Sequence, residues 1–359
     1  MSEPAPRTAA SPTPPRHEVR LTSSDIARLS GVSVSAVSLA LNGRPGVSEA
    51  TRARIVAVAD EYNWRPHRAA RALKGATSDV AGLVIARPAR TLGVEPFFAQ
   101  LLSGLQSRLS QDAIALQLLI VEDTDAEIAT YRRWAAENRV GGTVLLDLVE
   151  NDPRPEVVER LGIPAVAVGG AGEAWPVTSV WADDYGAMRA MLSHLVDLGH
   201  RAVGYVGGTA AFEHSRRRSK AVADLADEHG LEVTSIATDF SDEQGASATR
   251  RLLTSRNRPT AVIYDSDVMA VAGLAVANEL GIAVPQDVSI ASFDDSVLTR
   301  LTHPALTSLT RDTFALGALV AKELITTVAT GGQRPVSIQA PTPHLTVRAS
   351  TVRPGTTAD

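Results

Sequence analysis

The sequence contains no cysteine. Disulfide bridges and thiolate metal sites are therefore excluded, and a reducing compartment is compatible with the chain without being demanded by it. No apolar run approaches the roughly 18 residues of a membrane-spanning helix, so no membrane association is expected. Residues Met1 to Pro15 are rich in Pro, Ala, Ser and Thr. They lack the basic patch and apolar core of a secretory signal, so the expected location is the cytoplasm. Aromatic residues make up only 4% of the chain, which leaves few platforms for stacking a planar ligand. The sequence carries no G-x-G-x-x-G, no Walker loop, no G-x-S-x-G and no metal-spaced histidines, so no catalytic residue, metal or cofactor is expected. His194, His200, His214 and His229 are scattered over helical segments and read as solvent-facing or structural.

What is present is the material of two or three folding units. A chain of 359 residues exceeds one ordinary hydrophobic core, and 44% hydrophobic with 21% charged residues is average for globular protein. The net charge of −5 hides an asymmetry. Between Arg16 and Lys74 stand ten Arg and Lys against five Asp and Glu, so the rest of the chain is strongly acidic. A basic module at one end of an acidic chain points to nucleic acid, because phosphate neutralisation supplies most non-specific affinity; a solvated basic surface is the alternative on charge alone.

Leu21 to Trp64 reads as three short helices. Thr22 or Ser23 can cap the first, Ile26, Ala27 and Leu29 supply its apolar face, and Gly31 ends it in the left-handed conformation. Ser33 can cap the second, which buries Val37 and Leu41 and stops at Asn42-Gly43. Ser48 caps a third, in which Ile55, Val56 and Ala59 are spaced as one buried stripe. Two helices joined by a short glycine turn and backed by a third make a helix-turn-helix, whose second helix presents its N-terminal residues to the major groove. Val34, Ser35 and Leu39 then point outward, and Ser38, Asn42 and Arg44 are placed to touch phosphates or support those contacts.

The chain resembles the LacI/GalR family of transcription regulators. The resemblance is carried in the head by Leu21-Thr22-Ser23-Ser24-Asp25-Ile26-Ala27, Gly31-Val32-Ser33, Val37-Ser38, Leu41-Asn42-Gly43 and Val47-Ser48-Glu49-Ala50-Thr51-Arg52. It continues through Tyr62-Asn63-Trp64-Arg65-Pro66 into Arg68-Ala69-Ala70-Arg71-Ala72-Leu73, which matches the family's hinge helix. It implies double-stranded operator DNA as partner, with Thr22, Ser33, Val34, Ser35, Ser38, Leu39, Asn42, Arg44, His67, Arg68, Arg71 and Leu73 as contacts. Leu73 takes the position of a minor-groove wedge. Relatives often carry Arg where this chain has Leu39, so the operator is expected to differ there. Leu39 either contacts a thymine methyl or packs within the head.

From Val80 onward, short apolar strands alternate with amphipathic helices, the pattern of doubly wound parallel sheets. Candidate strands are Val80–Ala86, Ala115–Val121, Gly142–Leu148, Pro164–Val168, Ser179–Ala182, Ala202–Val206, Val233–Ala237, Ala261–Tyr264 and Val288–Ser292. That number exceeds one modest sheet, so two α/β lobes are expected with a ligand crevice at the carboxyl ends of their strands. Pro96-Phe97-Phe98, Leu195 to Arg201, Val206-Gly207-Gly208, Ser266 to Ala270 and Val284 to Ser289 resemble the periplasmic sugar-binding protein fold. That resemblance implies Arg218, Asp294 and Ser266 as effector contacts, with Phe240 as an aromatic lid. On the residues alone, Arg217 and Arg218 also read as a solvated helix face, and Asp267 as the cap of a helix beginning at Val268. Phe97, Asp147 and Trp181 lie near strand ends, where an aromatic serves either the core or a ligand.

The expected plan is a disordered tail (1–19), an all-α helix-turn-helix head (20–64), a hinge helix and linker (65–78), and a two-lobed effector and dimerisation domain (79–355). One lobe would comprise about 79–178 and 312–336, the other about 179–311 and 337–355. Pro343–Pro354 reads as a last strand, and with no leucine heptads a homodimer is favoured over a tetramer. The resemblance implies a repressor whose operator affinity is set by a small-molecule effector. The scarcity of aromatics favours a sugar or polyol over a purine.

Overall fold

The computed structural model describes residues 21–41, 45–62, 64, 78–170, 175–332 and 334–355. The chain divides into two compact units, residues 1–76 and 77–359. The expected N-terminal tail and hinge lie outside the described residues, apart from Ser78.

In the first unit the helices are α1 (Ser23–Ser30), α2 (Val34–Leu41) and α3 (Glu49–Glu61). Thr22 closes a capping box with Asp25, each side chain bonded to the other's backbone N–H. Gly31 ends α1 at φ 63°, and Ser33 Oγ accepts from Ala36 N at 3.1 Å to start α2. Ile26, Ala27, Val37, Ala40, Ile55, Ala59 and Trp64 form the core. Leu29 and Val56 depart from expectation, being 39% and 37% exposed. The stripe on α3 turns instead toward Val58, and Leu21 and Val32 complete the packing. Two long-range bonds tie the unit: Arg52 Nη1 donates to Ala40 O at 2.7 Å, satisfying the end of α2, and Trp64 Nε1 donates to Leu21 O at 2.6 Å.

The second unit contains two six-stranded sheets. Its strands are β1 (Val80–Ala86), β2 (Ala115–Val121), β3 (Gly142–Leu145), β4 (Ala165–Val168), β5 (Thr178–Trp181), β6 (Ala202–Gly207), β7 (Glu232–Ala237), β8 (Ala261–Tyr264), β9 (Ser289–Ser292), β10 (Thr307–Thr310), β11 (Ser337–Gln339) and β12 (His344–Thr346). The first sheet runs β11-β5-β4-β3-β1-β2 and is parallel throughout. The second runs β12-β10-β9-β8-β6-β7, parallel except where β12 meets β10. Central β1 is buried on both faces and so reads as an unbroken apolar run, whereas β2 alternates at the sheet edge.

Two boundaries need correction. β5 and β11 pair with each other in the first sheet, so residues 179–181 and 337–339 belong to the first lobe rather than the second. The chain therefore crosses between lobes after β5, β10 and β11. The expected terminal strand is shorter, His344–Thr346.

The connecting helices cover both faces of each sheet. In the first lobe, α4 (Pro96–Gln111) and α5 (Thr313–Ala329) cross with backbones nearly touching. A Cβ on Gly104 would lie 2.0 Å from Phe314 O, and one on Gly317 would lie 2.2 Å from Leu101 O, so this crossing requires glycine on both helices. The core here joins Leu83, Ile85, Leu101 and Leu105 to Val320 and Leu324, stitching the late helix onto the early sheet. The second lobe has a core on each side of its sheet, one around Met188, Tyr205 and Phe293 and the other around Tyr264, Met269 and Ile290.

Candidate functional site

At the start of α2 the head exposes residues expected to face DNA. Val34 is 46% exposed at the start of α2, and Ser35 is exposed beside it, bonded through Oγ to Ser33 Oγ at 2.8 Å. Ser38 and Leu39 are half-buried, and Leu39 Cδ1 lies 3.0 Å from where a Cβ on Gly46 would sit, which is packing within the head. Thr22 spends its side chain on the α1 cap. Asn42, Arg44, His67, Arg68, Arg71 and Leu73 lie outside the described residues.

In the second unit the carboxyl ends of the two sheets face each other across a cavity of at most 820 Å³, counting its open mouth. Arg87 directly follows β1, Asp147 follows β3 and Trp181 ends β5. From the opposite lobe, Phe240 follows β7, Asp294 follows β9 and Arg311 follows β10. Strand ends are where a doubly wound sheet presents functional groups, because the helices that follow turn away and leave a crevice. Six of the seven expected effector residues line this cavity: Arg218, Asp294, Phe240, Phe97, Asp147 and Trp181. Ser266 does not. It is buried with its hydroxyl oxygen turned to cap the helix Asp267–Glu279, accepting from Met269 N at 3.3 Å. The cap expected of Asp267 thus belongs to Ser266, while Asp267 Oδ1 accepts from Val268 N at 2.8 Å.

Arg218 is buried, its guanidinium centre 3.5 Å from the Phe293 ring centroid. It donates to Asp184 Oδ2 from Nε at 3.2 Å and Nη2 at 3.0 Å, and to Asp265 O at 3.3 Å. Arg311 donates Nη2 to Asp294 Oδ1 at 2.7 Å, and its guanidinium lies 4.9 Å from the Phe97 ring in the other lobe. Arg87 makes the reciprocal reach. It grips Asp147 with Nε at 2.6 Å and Nη2 at 3.0 Å, gives Nη1 to Glu95 at 3.1 Å, and lies 4.8 Å from both the Phe212 and Phe240 rings across the cleft.

Burial shapes the titration of these groups. It pushes the Glu95 carboxyl up to about 8 against the opposing pull of Arg87, and Asp265 up to about 6 against Arg218. His214 is held neutral, well below the ordinary histidine range, by burial and by Arg218, Arg87 and Arg311.

His214 corrects the sequence reading, because it lines the cavity between the Phe212 and Phe240 rings at 5.6 and 5.9 Å. His200 is structural, bonded to Thr260 Oγ1 and Val352 O, His194 bonds Thr351 Oγ1, and His229 is exposed. Arg87, Glu95, Asp184, Glu213, Arg217 and Arg311 also line the cavity and were missed. For Arg87 and Arg311 a signal existed, since each is a charged residue set immediately after a strand. Glu95, Asp184 and Glu213 precede or start helices, Arg217 lies one turn into the helix that Glu213 starts, and only the folded lobes bring them together. Among the described residues no helix is long and apolar enough to cross a membrane, and no cluster of His, Asp and Glu is arranged to hold a metal ion.

Comparison with known proteins agrees with both units. Residues 22–67 match the family described as bacterial regulatory proteins, lacI family, and residues 192–351 match the periplasmic binding protein-like domain. The HTH-type transcriptional regulator CelR of Thermobifida fusca is 30% identical over 332 residues, covering 90% of this chain and 96% of that protein. The HTH-type transcriptional regulator AglR of Rhizobium meliloti (strain 1021) is 32% identical over 339 residues, covering 91% and 93%. Among solved structures, a complex of the regulator CelR with cellobiose aligns with a TM-score of 0.70 at 28% identity over 92% of this chain and all of that one. A lac repressor dimer bound to operator and the anti-inducer ONPF aligns at 0.80 and 23% identity over 92% and 99%, a likeness of fold. With a DNA-reading head, a two-lobed body and relatives of this identity along nearly its whole length, the chain belongs to the LacI family of transcription regulators.

Proposed function

We propose that this regulator is a non-catalytic cytoplasmic repressor that binds a palindromic operator as a homodimer and is controlled by an uncharged, polyhydroxylated effector, a sugar or polyol. The observation that carries the effector class is charge compensation in the cavity. Four guanidiniums (Arg87, Arg217, Arg218, Arg311) face five carboxyl groups (Glu95, Asp147, Asp184, Glu213, Asp294), and burial pushes the Glu95 carboxyl up to about 8. An anionic ligand would have to displace carboxylates from their arginines. A hydroxyl both donates and accepts, so it can insert between paired groups without leaving either charge bare, while Phe97, Phe240 and Trp181 add apolar surface to the cavity lining. Cellobiose in the CelR complex is such a ligand.

Contacts across the cleft support a control mechanism based on lobe separation. Glu213 N donates to Leu148 O at 2.7 Å, Arg216 pairs with Glu150 at 2.9 Å, and Arg87 and Arg311 reach the other lobe's aromatic rings. These contacts exist only when the lobes are close, so a ligand that prefers one separation shifts the lobe equilibrium. Where operator binding also prefers one lobe separation, linkage makes the effector change operator affinity by the factor through which DNA changes effector affinity.

Fluorescence anisotropy on a pool of palindromic DNA at two salt concentrations tests this reading, with sugars, polyols and purines added in turn. The expected result is salt-sensitive binding with residual specificity, altered by a sugar or polyol. Binding altered only by a purine or an anion would overturn the effector class, and no DNA binding under any condition would overturn the regulator reading.

A further inference from the structure

Asp147 adopts a left-handed backbone, φ 51°, which most non-glycine residues avoid. Its carbonyl is held from beneath by Arg154, one of the most deeply buried cations among the described residues. Arg154 Nη2 donates to Asp147 O at 2.9 Å and to Asp152 Oδ2 at 2.6 Å, its Nε donates to Asp152 Oδ1 at 3.0 Å, and its Nη1 donates to Glu127 Oε2 at 2.7 Å. Glu127, equally buried, accepts on Oε1 from the backbone N of Ala86 at 3.0 Å and on Oε2 from Tyr131 Oη at 3.2 Å. Asp152 accepts in turn from Val149 N at 3.1 Å. One buried ion cluster therefore grips the backbone at residues 86, 147 and 149, on the ends of adjacent strands, while none of its three charged groups lines the cavity.

Those grip points are telling. Ala86 precedes Arg87, and Arg87 and Asp147 form the two-pronged pair that walls the first lobe's half of the cavity. Leu148, between two gripped residues, accepts the bond from Glu213 of the second lobe. A buried ion cluster is a poor way to gain stability alone, because the desolvation of its members offsets their attraction and apolar packing does as well. We propose that Arg154 and Glu127 are positioning residues of the effector cavity. They fix the Arg87–Asp147 pair and the adjoining cross-lobe bond without touching ligand. This rests on reading the cavity as the effector site, but its test requires no effector.

The test observes the arginine Nε–H groups of the intact protein by ¹H–¹⁵N NMR, with the Arg87 signal assigned through Arg87→Lys and the Arg218 signal, in the opposite lobe, through Arg218→Lys as internal reference. Arg154→Lys keeps the charge but cannot span Glu127, Asp152 and Asp147 O together. Glu127→Gln keeps the shape and loses the charge. In each, the Arg87 Nε–H is expected to shift and to exchange with solvent about tenfold faster, while Arg218 is unmoved and thermal unfolding remains cooperative. Should both variants fail to fold, Tyr131→Phe deletes one bond to Glu127 with every charge retained, and a smaller change in the same direction is expected. An unchanged Arg87 signal in a folded variant overturns the proposal, as do equal changes at Arg87 and Arg218, which indicate general loosening. Failure of every sugar and polyol to act on DNA binding would count against the effector reading and leave the Arg87 result standing on its own.

Discussion

Replacing Glu95 by Gln should make the protein more stable in alkaline solution and leave it nearly unchanged in mild acid. Glu95 is 7% exposed and accepts from Arg87 Nη1 at 3.1 Å. Burial raises its carboxyl from 4.5 to about 8, with Asp147, Asp294 and Asp267 adding to the rise and Arg87 opposing it. The folded pKa thus lies above the unfolded one, so the folded chain retains a proton that the unfolded chain has released. Its contribution is fully present below about pH 4.5 and is lost as pH rises toward 8. At 1.36 kcal/mol per unit, the loss across that window amounts to about 4 to 5 kcal/mol. Gln preserves the shape and offers Arg87 a carbonyl, but it does not ionise. The melting temperature of Glu95→Gln should therefore match the parent within a degree or two at pH 5 and exceed it at pH 8.5 by on the order of 10 °C, at roughly 2–4 °C per kcal/mol for a body of this size. Scanning calorimetry of the full chain from pH 5 to 9 at fixed ionic strength measures the difference. A difference that stays constant with pH, or that shrinks as pH rises, would refute the reasoning.

Arg218→Met removes the bonds to Asp184 while keeping much of the packing over Phe293. Loss of one charge-assisted bond from Arg218 to the effector, about 2 kcal/mol, should weaken effector binding roughly 10- to 100-fold by calorimetric titration, and undiminished affinity would remove Arg218 from the site. Gly208→Ala places a Cβ 1.8 Å from Phe240 Cζ, so the ring must leave its seat. Destabilisation of about 1–3 kcal/mol with altered effector affinity is expected in chemical denaturation, and a neutral outcome in both would show that Phe240 is not a seated lid. In the head, Trp64→Phe deletes the 2.6 Å bond to Leu21 O, and about 1 kcal/mol of local stability should go with it. Operator affinity should fall while the melting of the body holds, and a shifted body transition with unaltered DNA binding would contradict this.

How far the sequence could be read depended on whether a residue's role was set by its near neighbours. The head was legible almost to the residue because its caps act over three positions, as Thr22 with Asp25 and Ser33 with Ala36 do. The errors at Leu29 and Val56 arise because a helical period defines a broad stripe, and the partner helix decides which edge of it is covered. Val80–Ala86 was legible as a strand because a central parallel strand must be apolar on both faces. Thr307–Thr310 was not, because Leu309 is the one apolar residue among its three buried members, while Thr307 and Ser308 are buried with their oxygens satisfied by bonds to Thr351 and Leu306. The same distinction runs through the cavity. Asp147 and Asp294 sit where strand ends place them, but the work of Asp184 depends on Arg218, thirty-four residues away. Arg154 has no local signature, since it acts through Glu127, twenty-seven residues upstream, and through the backbone it holds. A residue that shapes a site without entering it leaves no trace in local spacing, so its role emerges only once the folded chain shows which backbone atoms it grips.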